Sequence, residues 1–193
     1  MFRLITLLLL LMPSLAQAQT FSIDGGHSAV VASVYTSQER FGMEDVVGRF
    51  DEVRGTVKYS DDLSLMACTL AIRVDSYRTD NPSVRAAVIS PAFLNAGMYP
   101  ELRFESTGVT RENERLIASG KLTVHGHTRP VSFPITVVPQ FKAPNGTNTI
   151  AISAELTINR QDFGVSFDRR TPDDQPLVAN EVRISVDLLA VQE

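Results

Sequence analysis

Apolar and polar side chains alternate with a period of two along most of this chain, as in strands with one covered and one wet face. Val30, Ala32 and Val34 share one side of residues 29–35, and Val53, Gly55, Val57 and Tyr59 oppose Arg54, Thr56 and Lys58. The alternation recurs at Cys68, Leu70, Ile72 and Val74, at Leu102 and Phe104, and at Leu116, Ala118, Gly120, Leu122 and Val124. Three further runs are Val131 to Val137, Ile150 to Ile158, and Val182 to Leu188. Polar corners separate them: Ser60-Asp61-Asp62, Glu112-Asn113-Glu114, His125-Gly126-His127 and Pro144-Asn145-Gly146. The pattern predicts an antiparallel meander of about eight strands. Residues 78–100 break it, because Asn81-Pro82 and Ser90-Pro91 each set a capping side chain before a proline suited to a first helical turn. Two short helical turns are expected there, the second ending at Asn95 to Gly97.

Eight strands with one apolar face bury that face either by packing two sheets or by closing a barrel. A barrel of that size is filled by its own side chains or holds one slender ligand. Ala32, Gly48, Gly55, Ala118, Gly120 and Ala154 are small inward positions that either leave a cavity or make room for neighbouring Phe rings.

Composition narrows the class. The 193 residues are 44% apolar with a net charge of −4, which excludes a disordered tail protein. Eighteen Lys and Arg against 22 Asp and Glu give no basic footprint for nucleic acid. Met1-Phe2-Arg3, the apolar run Leu4 to Met12 and the small-x-small Ala16-Gln17-Ala18 read as a removed signal peptide over residues 1–18. Residues 19–193 are then one exported domain with no transmembrane segment. The single Cys68 lies in an apolar stretch and reads as a small core residue rather than a nucleophile.

Candidate chemistry is sparse. His125 and His127 share one face if they lie in a strand, and His27 would be a third metal ligand from an adjacent one, but Gly126 between them favours a polar hairpin corner. Asp24-Gly25-Gly26-His27-Ser28 reads as a glycine-enabled turn capped by its Asp. Arg160 and Asp162 read as an ion pair closing a strand end. No Gly-x-Ser-x-Gly elbow is present. A membrane β-barrel fits the alternation too, but the chain has no Trp, only four Tyr and no terminal aromatic strand.

Several motifs stand in fixed order along the chain. They are Phe21-Ser22-Ile23-Asp24 with His27-Ser28, Val46-x-Gly48-Arg49-Phe50, and Phe93-Leu94-Asn95 leading to Tyr99-Pro100-Glu101 and Phe104-Glu105-Ser106. Gly120-x-Leu122-Thr123-Val124-His125-Gly126-x-Thr128-Arg129-Pro130-Val131 and Thr157-Ile158-Asn159-Arg160-x-Asp162-Phe163-Gly164 follow, then Asn180-Glu181-Val182-x-Ile184. In that order they resemble the YceI-like family. The chain departs from the family's Arg-Asp-x-His-Leu helix, where it carries Arg85, Ala86, Ala87, Val88 and Ile89, and its Thr36 to Arg40 segment looks longer than usual.

The resemblance implies a periplasmic, extended, lipocalin-like eight-stranded antiparallel barrel that binds a long isoprenoid lipid, such as a quinone or polyprenyl phosphate, in an apolar pore without enzymatic chemistry. No cofactor beyond such a lipid is implied, and a homodimer stays open. Under this expectation Phe50, Phe104, Leu122, Phe133, Ile158 and Phe163 point inward, with Phe93 and Leu94 at a mouth or lid. The alternatives are a periplasmic enzyme, metal-assisted through His125 and His127 or otherwise, and a packed structural or interaction barrel without a ligand.

Overall fold

A computed structural model describes residues 18–38, 42–60 and 66–193. The expected signal peptide therefore lies outside the described residues, except for Ala18, and so does most of the corner after Ser60. Among the described residues eleven strands form one antiparallel sheet: β1 (Gln19–Ile23), β2 (Ala29–Gln38), β3 (Gly42–Phe50), β4 (Val53–Tyr59), β5 (Ala67–Arg73), β6 (Tyr77–Arg78), β7 (Glu101–Glu112), β8 (Arg115–Val124), β9 (His127–Lys142), β10 (Asn148–Asn159) and β11 (Val178–Gln192). The ring β1-β4-β5-β7-β8-β9-β10-β11 closes on itself because β1 pairs with both β4 and β11.

Eleven segments make eight staves, because three are broken once each. A 3₁₀ turn at Gly25–His27 splits β1 from β2, residues 51–52 split β3 from β4, and a 3₁₀ turn at Val74–Ser76 splits β5 from β6. The halves keep the same neighbours, β2 beside β3 and β1 beside β4. Closure settles the choice between sandwich and barrel. The barrel is an eight-stranded antiparallel meander with one short helix, α1 (Pro82–Ile89), as the family resemblance implied.

The corners follow the local chemistry. Asn113 and Glu114, and His125 and Gly126, hold positive φ in two-residue loops, the conformation that a tight hairpin demands. Asp24 accepts a bond from Gly26 N at 3.0 Å, so the Asp-Gly-Gly segment is a capped turn as its sequence suggests. Asn81 caps α1 by accepting from Ser83 N at 2.9 Å, with Pro82 in the first turn. The second expected helical turn does not form as a helix. From Ser90 onward the chain makes linked turns instead, with Phe93 N donating to Ser90 O and Asn95 at positive φ.

One end of the barrel is packed solid by Phe21, Val57 and Ile150, each fully buried. At the opposite end lie α1 with the turns that follow it, the β8–β9 hairpin, and residues 160–177. Charged side chains such as Arg54, Lys58, Arg103, Lys121 and Arg183 are on exposed outward positions, while the apolar set points inward. That arrangement is the reverse of a membrane-spanning barrel, whose apolar band faces out.

Candidate functional site

Between the two ends the inward residues do not meet across the barrel. Ala32, Val34, Val46, Leu70, Leu102, Leu122, Phe133, Ile135, Leu156, Ile158, Ile184 and Val186 point inward yet stay half-buried. They border an internal cavity of about 210 Å³, so the surface they leave uncovered faces that space. A packed barrel would bury such side chains almost completely.

The small inward positions divide into two groups. Side chains at Gly48 and Gly120 would overlap the rings of Tyr77 and Phe104, so these glycines make room for aromatics. Ala32, Ala118 and Ala154 instead border the cavity and leave it open. Phe50 and Tyr77 meet edge-on with centroids 5.3 Å apart, and Phe104 tilts against Phe133 at 5.4 Å.

Of the residues singled out from sequence, Phe50, Phe93, Leu94, Phe104, Leu122, Phe133 and Ile158 line the cavity. Phe163 does not. It is 2% exposed and packs with Val124 and Val165 in a second cluster, which Phe93, Leu94, Leu102, Leu122 and Ile158 flank. Phe93 stacks on Phe167 with centroids 4.6 Å apart, joining the turns after α1 to the segment after β10 across this end of the barrel. Arg85 ties α1 down by donating to Tyr77 O at 2.9 Å and Asp75 O at 2.8 Å. Val88, where the related helix carries a His, adds an apolar side chain to the cavity wall.

The polar side chains in the wall are already engaged or neutral. Ser106 Oγ accepts from Cys68 N at 2.8 Å. Cys68 packs against the main core cluster as its sequence suggested, with its half-buried side chain bordering the cavity, and burial pushes its thiol up to about 12. Such a thiol is inert as a nucleophile at neutral pH. Burial also raises the Tyr77 phenol above its ordinary range.

Arg160 is 5% exposed and makes no ion pair with Asp162, because residues 160–163 form a 3₁₀ turn and not a strand end. Its guanidinium donates instead to four carbonyls, Val165 O at 2.6 Å, Ala179 O at 3.0 Å, and Phe167 O and Val178 O at 3.2 Å. Burial lowers its pKa, and the charge of Asp168 partly opposes this. Arg160 thus pins the segment after β10 to the start of β11. Sequence reasoning missed this role because none of its partners is a side chain.

His125 and His127 sit at the β8–β9 hairpin corner, with ring centroids 6.3 Å apart, and Tyr99 packs on His125 at 4.5 Å. Both ring nitrogens of His125 are shielded from solvent with no hydrogen-bond partner. Its pKa is lowered by burial first and by His127 second. His27 bonds Asp24 at 2.8 Å in the turn between β1 and β2, a different part of the barrel. Among the described residues no group of three His, Cys, Asp or Glu is placed to hold a metal ion.

The family model of a YceI-like domain matches residues 21–190. This chain belongs to the YceI-like family. A UPF0312 protein of Shewanella sp. (strain W3-18-1) is 30% identical over 164 residues, covering 82% of this chain and 83% of its own. Protein YceI of Salmonella arizonae is 28% identical over 156 residues, 79% of this chain and 80% of its own. Among solved structures, BcnA of Burkholderia cenocepacia superposes with a TM-score of 0.72 at 24% identity, covering 86% of this chain and 98% of its own. A polyisoprenoid-binding domain from Saccharophagus degradans, implicated in plant cell wall breakdown, gives 0.63 at 14% identity over 91% and 99%. These likenesses carry the YceI-like barrel across nearly the whole described chain. Among the described residues no helix is long and apolar enough to cross a membrane.

Proposed function

We propose that this YceI-like protein is a non-enzymatic binder of one long isoprenoid lipid, of the quinone or polyprenyl phosphate type, whose hydrocarbon chain occupies the barrel cavity. The observation that carries the reading is the row of inward-facing apolar residues left half-buried around an open interior. The family and the polyisoprenoid-binding relative in the same fold support a binding role.

The chemistry fits a chain better than a headgroup. Arg160, the one charged residue in the cavity wall among those described, has its guanidinium held by four carbonyls, and Ser106 Oγ is engaged by a backbone amide. A headgroup therefore belongs outside the apolar interior. Each buried CH₂ contributes about 0.8 kcal/mol, so one five-carbon isoprene unit contributes about 3–4 kcal/mol before ordering costs. A few units supply micromolar affinity without a polar anchor.

Phe50, Phe104, Leu122, Phe133 and Ile158 would contact the chain, with Phe93 and Leu94 near its end. Phe163 would support that end from behind. An exported protein, with residues 1–18 removed, would act as a carrier or store for the lipid in the periplasm. Titration with quinones of two, four and eight isoprene units tests the reading, since Tyr77 in the wall reports a bound quinone by quenched emission. Affinity should rise with chain length and then level off. Equal, weak quenching by all three would contradict a chain-binding cavity.

A further inference from the structure

The barrel wall carries a seam between β9 and β10. The two-residue loop His125-Gly126 makes Val124 and His127 a hydrogen-bonded pair. Odd-numbered residues of β9 as far as Ile135 therefore direct their backbone groups to β8, and even-numbered ones direct theirs to β10. Pro130 and Pro134 are both even. Each removes an amide donor from the edge that faces β10.

The pairing stops where the prolines begin. The β9–β10 ladder runs from Asn148 opposite Lys142 to Ala154 opposite Ile135 and goes no further. Continuing its register would set Glu155 against Pro134, Thr157 against Ser132 and Asn159 against Pro130. Beyond that gap β9 meets the turn that follows β10, where Gly164 lies so close to His127 that a side chain there would collide with the imidazole. The seam is thus bounded at both ends. Asn159 caps the following 3₁₀ turn by accepting from Gln161 N at 3.0 Å, which ends β10 at the far side of the gap.

Apolar side chains line the seam from inside. Phe133 on β9 and Leu156 and Ile158 on β10 border both the gap and the cavity, and all three are half-buried. The other routes are more firmly shut. One barrel end is filled by Phe21, Val57 and Ile150, and the other is crossed by the Phe93–Phe167 stack and braced by Arg160. At the paired parts of the wall, separating two strands breaks ladder hydrogen bonds. At the seam fewer backbone bonds hold the wall: the Ala154–Ile135 pair is closed by Glu155 N–H donating to Pro134 O, and beyond it no further residue pair is joined in the ladder.

We propose that the β9–β10 seam is the route by which the hydrocarbon chain of a lipid slides sideways into and out of the barrel. This inference rests on the binding reading above and adds where exchange occurs. Pro130→Thr with Pro134→Val restores both donors, so the ladder can zip toward Asn159. Amide exchange at Thr157 reports the zipping, and transfer of a bound long-chain quinone to phosphatidylcholine vesicles, followed by recovery of tyrosine emission, reports the rate. The expected result is a protected Thr157 amide, transfer slowed tenfold or more, and an equilibrium affinity within threefold of the parent protein. As a second closure, Ser132→Cys with Thr157→Cys in a Cys68→Ala background is bridged by a reducible thiol crosslinker. It should slow transfer equally, and dithiothreitol should restore it. Unchanged transfer rates in a protein with either closure made and quinone still bound would overturn the route alone. Absence of quinone binding to the parent protein would overturn the binding reading and the route with it.

Discussion

The ring of Tyr77 fills the space that a side chain at Gly48 would need, on neighbouring staves of the barrel. The contact shapes the cavity wall, since Tyr77 also packs edge-on against Phe50. Gly48→Ala should therefore destabilise the fold by about 1–3 kcal/mol through overpacking. Tyr77→Leu in the same chain should recover much of that loss. Urea unfolding of both single variants and the double variant measures the coupling; additive effects would separate the two residues.

Arg160 should be the most sensitive charged position. Its replacement by Met strands four buried carbonyls, and Lys offers a point charge where a planar fork is required. Hydrogen bonds to a charged donor contribute about 1.5–3 kcal/mol each, so either variant should lose about 3 kcal/mol or more. Thermal and urea unfolding check this, and a Lys variant as stable as the parent would contradict it.

Cys68 gives an alkaline signature. Its thiol is raised from 9.0 to about 12 in the fold, so the unfolded chain loses the proton first as pH rises. The folded state binds more protons between these values, and stability falls with rising pH across that window. The difference between the parent and Cys68→Ala should change by about 1.4 kcal/mol per pH unit above pH 9. The same group should resist iodoacetamide at pH 8, and a bound quinone should slow the reaction further. A flat difference from pH 9 to 10.5 would place the thiol in contact with water.

His125 gives the acidic counterpart. Its pKa is lowered from 6.5 by burial and by His127, so the unfolded chain takes up the proton first as pH falls. Stability is complete above about pH 6.5 and declines below it. His125→Asn keeps a residue that tolerates positive φ, forms an Asn-Gly hairpin corner with Gly126, and should abolish this decline at little cost near neutrality. Urea midpoints between pH 4.5 and 7.5 test it.

Much of the barrel is legible in the alternation alone, because a covered inner face and a wet outer face force period two on every long stave. The strand Gly42–Phe50 escapes that reading, since Gly48 interrupts its inner side and the exposed Val47 its outer one. Ser90-Pro91 predicts a second helical turn, and Ser90 Oγ does accept from Ala92 N at 3.2 Å, yet the chain that follows makes linked turns and does not coil into a helix. Inward Phe and Leu residues were readable as interior. That Ala32, Ala118 and Ala154 leave space while Gly48 and Gly120 are filled depends on the rings of Tyr77 and Phe104, which arrive from neighbouring staves. The bonds of Arg160 are equally hidden, because carbonyl partners carry no sequence signal.

The central claim is that the barrel interior holds a lipid chain. Native mass spectrometry of the purified protein, with organic extraction of whatever accompanies it, tests this most directly. The account predicts a second species heavier by the mass of one lipid per chain, an extract of isoprenoid character, and loss of the added mass when Ala118→Phe fills the cavity. A protein that is lipid-free at every stage, and that takes up no quinone or polyprenyl analogue when offered one, would contradict it.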